Sequence, residues 1–267
     1  MGIEQGVVPV VGVPEARQRV TPRLAWQIAT VQAIQPETPR VKTITLRLPA
    51  WMRHRPGQHY DVRLTAPDGY QAQRSYSIAS EPEREGEIDL TVEQARDGEV
   101  SVYMCEVLIP GDLMEVRGPI GGYFVWEPNM GGPLLLVAGG VGIVPLMSML
   151  RHRAAVGAEV PVRLLYSARS LDDVVYYEEL EQLAAASPTL EVYYTLTRVQ
   201  PPGWQGYARR VDGPMLREIA ETLGSAPRVY VCGPTPFVEV VANGLVDIGV
   251  PPGQVRTERF GPTGGSA

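Results

Sequence analysis

The stretch Pro128-Asn129-Met130-Gly131-Gly132-Pro133 separates two parts of the chain with different hydrophobic periods. Before it, apolar and polar residues alternate at a period of two; after it, short apolar runs alternate with segments of helical period. One uniform layer cannot accommodate both patterns. The break therefore predicts an antiparallel β-domain over residues 24–128 and an α/β domain over residues 129–267. Residues 1–23, weakly periodic with several Pro and Gly, are expected to form an N-terminal arm. A length of 267 residues suits two domains, each able to bury its own core.

In the first part, Trp26, Ile28 and Thr30 alternate, as do Val41, Thr43 and Thr45 against Ile44, Leu46 and Leu48, with Pro36 and Pro39 marking a turn between them. Further strands are expected at residues 60–64, at the Arg74 segment and at residues 88–93, giving a meander that closes into an antiparallel barrel. Val100, Met104, Val107 and Leu108 predict a short helix ended by Pro110-Gly111, followed by a strand at 113–117 and a tight turn at Gly118-Pro119-Ile120-Gly121-Gly122. In the second part, strands are expected at 134–138, 162–166, 190–195, 229–232 and 255–260. Helices are expected at 143–155, 174–186, 215–223 and 236–248, which together predict a doubly wound parallel sheet.

The chemistry-bearing residues cluster at Arg74, Tyr76 and Ser77. In a strand, residues i and i+2 face one side, so Arg74 and Tyr76 can meet one ligand while Ser77 meets a neighbouring edge. A flavin nucleotide offers a phosphate, a flat ring and a polar rim to match; an amphipathic strand with an exposed arginine is the plain alternative. Gly98 to Ser101 opens the short helix and either brackets a pyrophosphate with Arg74 or caps the helix. Gly118 and Gly121 allow close backbone approach to a ligand or form a barrel corner. Gly140 and Gly142 lie in a turn suited to phosphate, with Pro145 in the first helical turn where its missing N–H costs nothing.

A net charge of -6, 24 basic against 30 acidic residues, argues against general nucleic-acid binding. Two cysteines, Cys105 and Cys232, are too few for a disulfide framework or an iron–sulfur cluster, so a reducing, cytoplasmic setting is expected. No signal peptide is visible, and the uncharged apolar run 134–150 is short for a membrane span and broken by Gly139, Gly140, Gly142 and Pro145. His54, His59 and His152 lack metal-ligand spacing and are expected on exposed loops, with no metal site.

Six motifs then fall in one order: Arg74-Ser75-Tyr76-Ser77, Gly98-x-x-Ser101, Gly118-Pro119-x-Gly121-Gly122, Gly140-x-Gly142-x-x-Pro145, Cys232-Gly233-Pro234 and Glu258-Arg259-Phe260. In that order and spacing the chain resembles the ferredoxin–NADP reductase family of flavoenzymes, and in particular the reductase modules of multicomponent oxygenases, over residues 24–261. The resemblance implies that Arg74 holds a flavin phosphate, Tyr76 stacks on the isoalloxazine and Ser77 approaches its N5 region. It also implies that Gly98 to Ser101 grips the FAD pyrophosphate and Gly140 to Gly142 receives the nicotinamide dinucleotide. Cys232 and Glu258 would lie where nicotinamide meets flavin, with Phe260 either there or packing the domain interface.

Hydride transfer from NAD(P)H to FAD is the implied reaction, with Ser77 and Glu258 expected to matter more than Cys232. No C-x4-C-x2-C segment accompanies these motifs, so electrons are expected to pass to a separate redox protein, a ferredoxin or an oxygenase component. Two other readings are a free-flavin or small-molecule reductase and an electron-transfer subunit of a larger complex. After the second strand of the α/β part the chain reads Ser167-Ala168-Arg169, without the acid that binds a ribose 2'-hydroxyl; Arg169, Arg198 and Arg210 lean the expectation toward NADPH. Arg40, Lys42, Arg47, Arg53, Arg55 and Arg63 crowd one part of the barrel sequence and suggest an acidic partner.

Overall fold

Alternation in the first part resolves into six strands: β1 (Gln27–Thr38), β2 (Val41–Arg47), β3 (His59–Thr65), β4 (Gln71–Ser77), β5 (Glu87–Glu93) and β6 (Leu113–Ile120). The computed structural model describes residues 24–224 and 227–261, so the expected arm at 1–23 lies outside the described residues. The six strands form one antiparallel sheet in the order β4-β3-β6-β1-β2-β5. This corrects the meander: β6 returns between β1 and β3, a connection that the spacing of strands does not encode. The sheet curls so that its edges meet beyond β4, where Ile78 bridges Leu90 and the Ala79 amide donates to the Asp89 carbonyl at 2.8 Å.

Three local expectations shift. β1 runs through Pro36 to Thr38 with a register shift between those two residues, because an irregular pair tolerates a missing donor. β6 continues through Gly118, where an added Cβ would stand 2.6 Å from the Tyr60 ring, so the glycine turn begins only at Gly121, with φ 105. The short helix is α1 (Glu99–Val102), which widens into a π turn at Tyr103–Val107.

The second part alternates as the pattern requires: β7 (Leu134–Gly139), α2 (Ile143–Ala155), β8 (Val162–Ala168), α3 (Tyr177–Ala186), β9 (Leu190–Leu196), α4 (Gly213–Glu221), β10 (Arg228–Pro234), α5 (Thr235–Asp247) and β11 (Val255–Phe260). α3 starts later than expected because Ser170 and Asp173 cap a separate turn and Tyr176 then adopts φ 62. The five strands are parallel in the order β11-β10-β7-β8-β9, with both faces covered. Leu134, Leu136 and Ala138 of β7 join one apolar cluster with α2, while Leu135 and Val137 join another with α4 and α5. The first cluster also takes in Val41, Ala79, Phe124 and Trp126, so the barrel and the parallel sheet share buried surface. Among the described residues no helix is long and apolar enough to cross a membrane.

Candidate active site

β4 is an edge strand, and its last residues lie where the barrel closes. Ala72, Arg74 and Tyr76 project to one side, running from a buried alanine through an exposed guanidinium to a half-buried ring that packs on the barrel core. Arg74 has no carboxylate partner among the described residues; its one hydrogen bond goes to the carbonyl of Gln73 at 2.6 Å. Burial, and then Cys105, push the Tyr76 phenol up, so it stays a protonated donor. α1 packs against β4 and β3, with the Tyr70 hydroxyl donating to Glu99 at 3.0 Å beside Arg74.

Ser101 engages its hydroxyl locally in this structure. Its Oγ accepts from the Ala95 amide at 3.1 Å and donates to the Gly98 carbonyl at 3.2 Å, and the residue is buried. The hydroxyl closes the loop, and only the backbone amides at the start of α1 remain for an anion. Gly118, held against Tyr60, serves barrel packing, whereas Gly121 lies exposed near His59. The histidine expectation is also corrected: His54 is buried with Nε2 3.0 Å from the Ser80 carbonyl, and His152 is buried on α2 against Glu83 at 2.9 Å. Desolvation lowers the His54 pKa to about 4, so it is neutral, and no metal-holding cluster occurs among the described residues.

In the parallel sheet, strand order reverses between β7 and β10, which opens a crevice at their carboxyl ends. Gly139 and Gly233 face each other there, each so near the Phe237 ring that an added Cβ would lie 2.7 Å from it. Gly140 turns at φ 55 with open space above it, while a Cβ on Gly142 would meet the Cys232 carbonyl oxygen at 2.1 Å. These glycines let the backbone at the start of α2 present its amides to a pyrophosphate. The turn also approaches β5, the strand whose Leu90 bridges Ile78 just beyond β4. A concavity of about 750 Å³ between α4 and the far end of α5, lined by Arg217, Glu221 and Asp247 among others, has no part in this arrangement.

Cys232 pairs in register with Glu258 across β10 and β11 and is buried. Burial, and then the nearby Glu258, push its thiol well up, which leaves a small packing group under the glycine turn. Glu258 is different: its Oε2 is buried without a hydrogen-bond partner, and desolvation raises its pKa to about 7. An unmatched buried acceptor facing the crevice is what a ligand-binding carboxyl needs. Phe260 packs against the apolar cluster that spans both sheets. Arg169 follows β8, and its carbonyl accepts the amide of Arg198 at 2.9 Å, bringing both arginines to the carboxyl edge beyond β8 and β9. Neither has an ion-pair partner among the described residues.

The raised Glu258 pKa has a definite sign. The folded state holds this proton more tightly than the unfolded chain, so the contribution to stability is full below the ordinary value of 4.5 and is lost as pH rises toward about 7. Glu258→Gln is therefore expected to raise the melting temperature relative to the parent at pH 8 and to have little effect at pH 4.5. Melting curves at the two pH values check it; an equal effect at both would contradict the burial assigned to this carboxyl.

An unpaired arginine beside an aromatic ring on the barrel edge, together with a glycine-lined switch point in a parallel sheet, is the arrangement expected of a two-domain oxidoreductase that takes a flavin and a dinucleotide. Both donor sets fit such ligands: Arg74 is a free cation, and at the Gly140–Gly142 turn Gly142 leaves no room for a side chain. Residues 28–125 match the oxidoreductase FAD-binding domain and residues 136–243 the oxidoreductase NAD-binding domain. The chain is 37% identical over 210 residues to ferredoxin–NADP reductase B of Sorangium cellulosum, which covers 76% of this chain and 84% of that protein. It belongs to the ferredoxin–NADP reductase family of NAD(P)H-dependent flavoprotein oxidoreductases. It is also 31% identical over 240 residues to the glycine betaine monooxygenase reductase subunit of Chromohalobacter salexigens, covering 88% of this chain but 64% of that protein's length. In fold it is similar to a ferredoxin NADP+ reductase from Neisseria gonorrhoeae solved with bound FAD and NADP, with TM-score 0.74 at 20% identity over 88% of this chain and 98% of the other.

Proposed function

We propose that this chain oxidises NAD(P)H through bound FAD and passes the electrons to a separate acceptor protein, a ferredoxin or an oxygenase component. The observation that carries the reading is the approach of the switch-point turn at Gly140–Gly142 to β5, the strand that is bridged to the chain just beyond β4. A bound FAD would supply the acceptor for a hydride from NAD(P)H and could then release the two electrons singly, while the chain's own residues would hold the two groups in place. The chain's part is to hold the reacting atoms roughly 3 to 3.5 Å apart. In this reading Arg74 binds a flavin phosphate, Tyr76 lies against the ring and Ser77 donates to its edge. The amides at Gly98 and Glu99 meet the FAD pyrophosphate, Gly121 lets the backbone come close, and Gly140 and Gly142 receive the coenzyme pyrophosphate. Glu258 orients the nicotinamide, with Cys232 and Phe260 packing beneath and beside it. The domain limits are taken with it, as a barrel over 24–128 and a nucleotide domain over 129–267. A cytoplasmic setting is part of the same proposal, supported by two buried, unbridged cysteines.

Relatives named as reductase components of oxygenase systems support the choice of acceptor, among them one at 28% identity from a naphthalene 1,2-dioxygenase/salicylate 5-hydroxylase system. The acidity of that acceptor loses its motive. Arg47, Arg53, Arg55 and Arg63 pair with Glu87, Glu83, Glu127 and Glu115, while Arg40 and Lys42 donate to the carbonyls of Gln94 and Cys105. Four of the six charges are thus paired with carboxylates, and Arg40 and Lys42 bond only to backbone carbonyls. Colour retained after desalting, together with NAD(P)H turnover using ferricyanide, tests the reading; flavin lost on desalting and reduced only when free would favour the free-flavin reductase instead.

The coenzyme is proposed to be NADPH, because Arg169 and Arg198 stand unpaired at the carboxyl edge and no acid stands at the end of β8, where the chain reads Ser167-Ala168-Arg169. Charge-assisted contacts to a 2'-phosphate contribute about 1.5 to 3 kcal/mol, so kcat/KM is expected to favour NADPH by roughly tenfold or more and Arg169→Ala to remove most of that preference. A clear preference for NADH would overturn this assignment and leave the hydride reaction standing.

A further inference from the structure

We infer that Ser148 and Arg151 of α2 are positioning residues for hydride transfer, acting by tying the coenzyme-side helix to the carbonyls of Ala79 and Ser80, just beyond the end of the flavin-side strand. The inference rests on the reading above. α2 begins at the Gly140–Gly142 turn, and Ser148 and Arg151, three residues apart, share the face turned toward the barrel. The fully buried Ser148 hydroxyl donates to the Ser80 carbonyl at 2.7 Å. Arg151 donates to the Ala79 carbonyl at 2.9 Å while its other nitrogens pair with Glu179 at 2.8 and 2.6 Å.

His54 Nε2 meets the same Ser80 carbonyl at 3.0 Å from the barrel side, so that oxygen is held from two directions. Arg151 is held as firmly: its guanidinium lies 4.8 Å from the Tyr176 ring centre, and Tyr176 bonds through its hydroxyl to Thr91 of β5. A helix transmits displacement along its axis with little compression, at about 1.5 Å per residue. The position of the glycine turn relative to Ser77 is therefore set by two hydrogen bonds placed within three residues of Ser77 and about two turns along α2. Neither side chain needs to touch the reacting atoms.

Ser148→Ala removes one tie and leaves the Ser80 carbonyl its bond from His54. Arg151→Lys keeps a cation beside Glu179 but cannot serve both Glu179 oxygens and Ala79, since an ammonium lacks the planar fork. Anaerobic stopped-flow reduction of the FAD-loaded protein by NADPH and by its C4-deuterated form is the test. Each variant is expected to keep its flavin and its rate of reoxidation by ferricyanide, while flavin reduction slows about tenfold or more and its isotope effect becomes more temperature-dependent. Faster hydrogen–deuterium exchange at Ile78 to Ser80 is expected in the flavin-free protein as well. Glu179→Gln, which removes the ion pair and leaves the Ala79 bond, is expected to lower the melting temperature with a much smaller effect on the isotope effect. Unchanged reduction rates and isotope effects in both Ser148→Ala and Arg151→Lys would overturn the inference; failure of the parent protein to reduce its flavin with either coenzyme would instead sink the function on which it rests.

Discussion

Arg74→Ala is expected to lower FAD affinity roughly ten- to hundredfold, the loss that follows from deleting a charge-assisted contact of about 1.5 to 3 kcal/mol. The variant is informative because Arg74 supports nothing else. It is exposed, has no carboxylate partner among the described residues, and bonds only to its neighbour's carbonyl. The melting temperature of the flavin-free protein should therefore stay where it is while flavin content after dialysis falls. By contrast, removing Arg63 breaks its pair with Glu115 and a stacking contact 4.2 Å from the Trp26 ring, and should cost stability without touching flavin. Full flavin retention by Arg74→Ala would remove the phosphate role from this residue.

Gly142→Ala is expected to abolish most reduction by coenzyme, about a hundredfold, with flavin still bound. The added methyl would lie 2.1 Å from the Cys232 carbonyl oxygen and 2.8 Å from the Gly233 amide nitrogen. Both are backbone atoms of β10, so no side chain can turn aside, and overpacking of this kind costs about 1 to 3 kcal/mol. The turn must move outward, and a displacement of about 1 Å at a hydride donor site can cost a hundredfold in rate. Gly140→Ala offers a contrast: nothing lies near its added methyl, and the expected cost comes from φ 55 alone. Stopped-flow reduction of the two variants checks this, and an unimpaired Gly142→Ala would show that coenzyme does not depend on the turn.

The residues legible in the sequence are those whose geometry is local. Arg74 and Tyr76 share a side because they are two apart on a strand, and Gly140 to Gly142 sit between a buried strand and a helix, so both could be placed from spacing alone. The strand order was not legible, because β6 reaches its place between β1 and β3 through contacts far apart in sequence. Ser101 was left open between two roles for a physical reason: the same hydroxyl that could bind an anion can also close its own loop, and here it makes the local bonds. The pairing of the crowded arginines was not legible because their partners lie elsewhere, Glu83 thirty residues from Arg53 and Glu127 seventy-two from Arg55. His54 and His152 were placed on exposed loops because no short-range pattern announces a partner such as Ser80 or Glu83. The raised pKa of Glu258 depends on burial between strands, which a six-residue segment cannot disclose.

Anaerobic titration of the purified, desalted protein with NADPH and NADH, followed by its visible absorption, tests the central claim most directly. The expected result is a yellow protein whose flavin bands bleach on addition of one equivalent of reduced coenzyme and return when ferricyanide is added. A colourless protein that takes up no FAD, or a bound flavin that neither coenzyme bleaches, would contradict it.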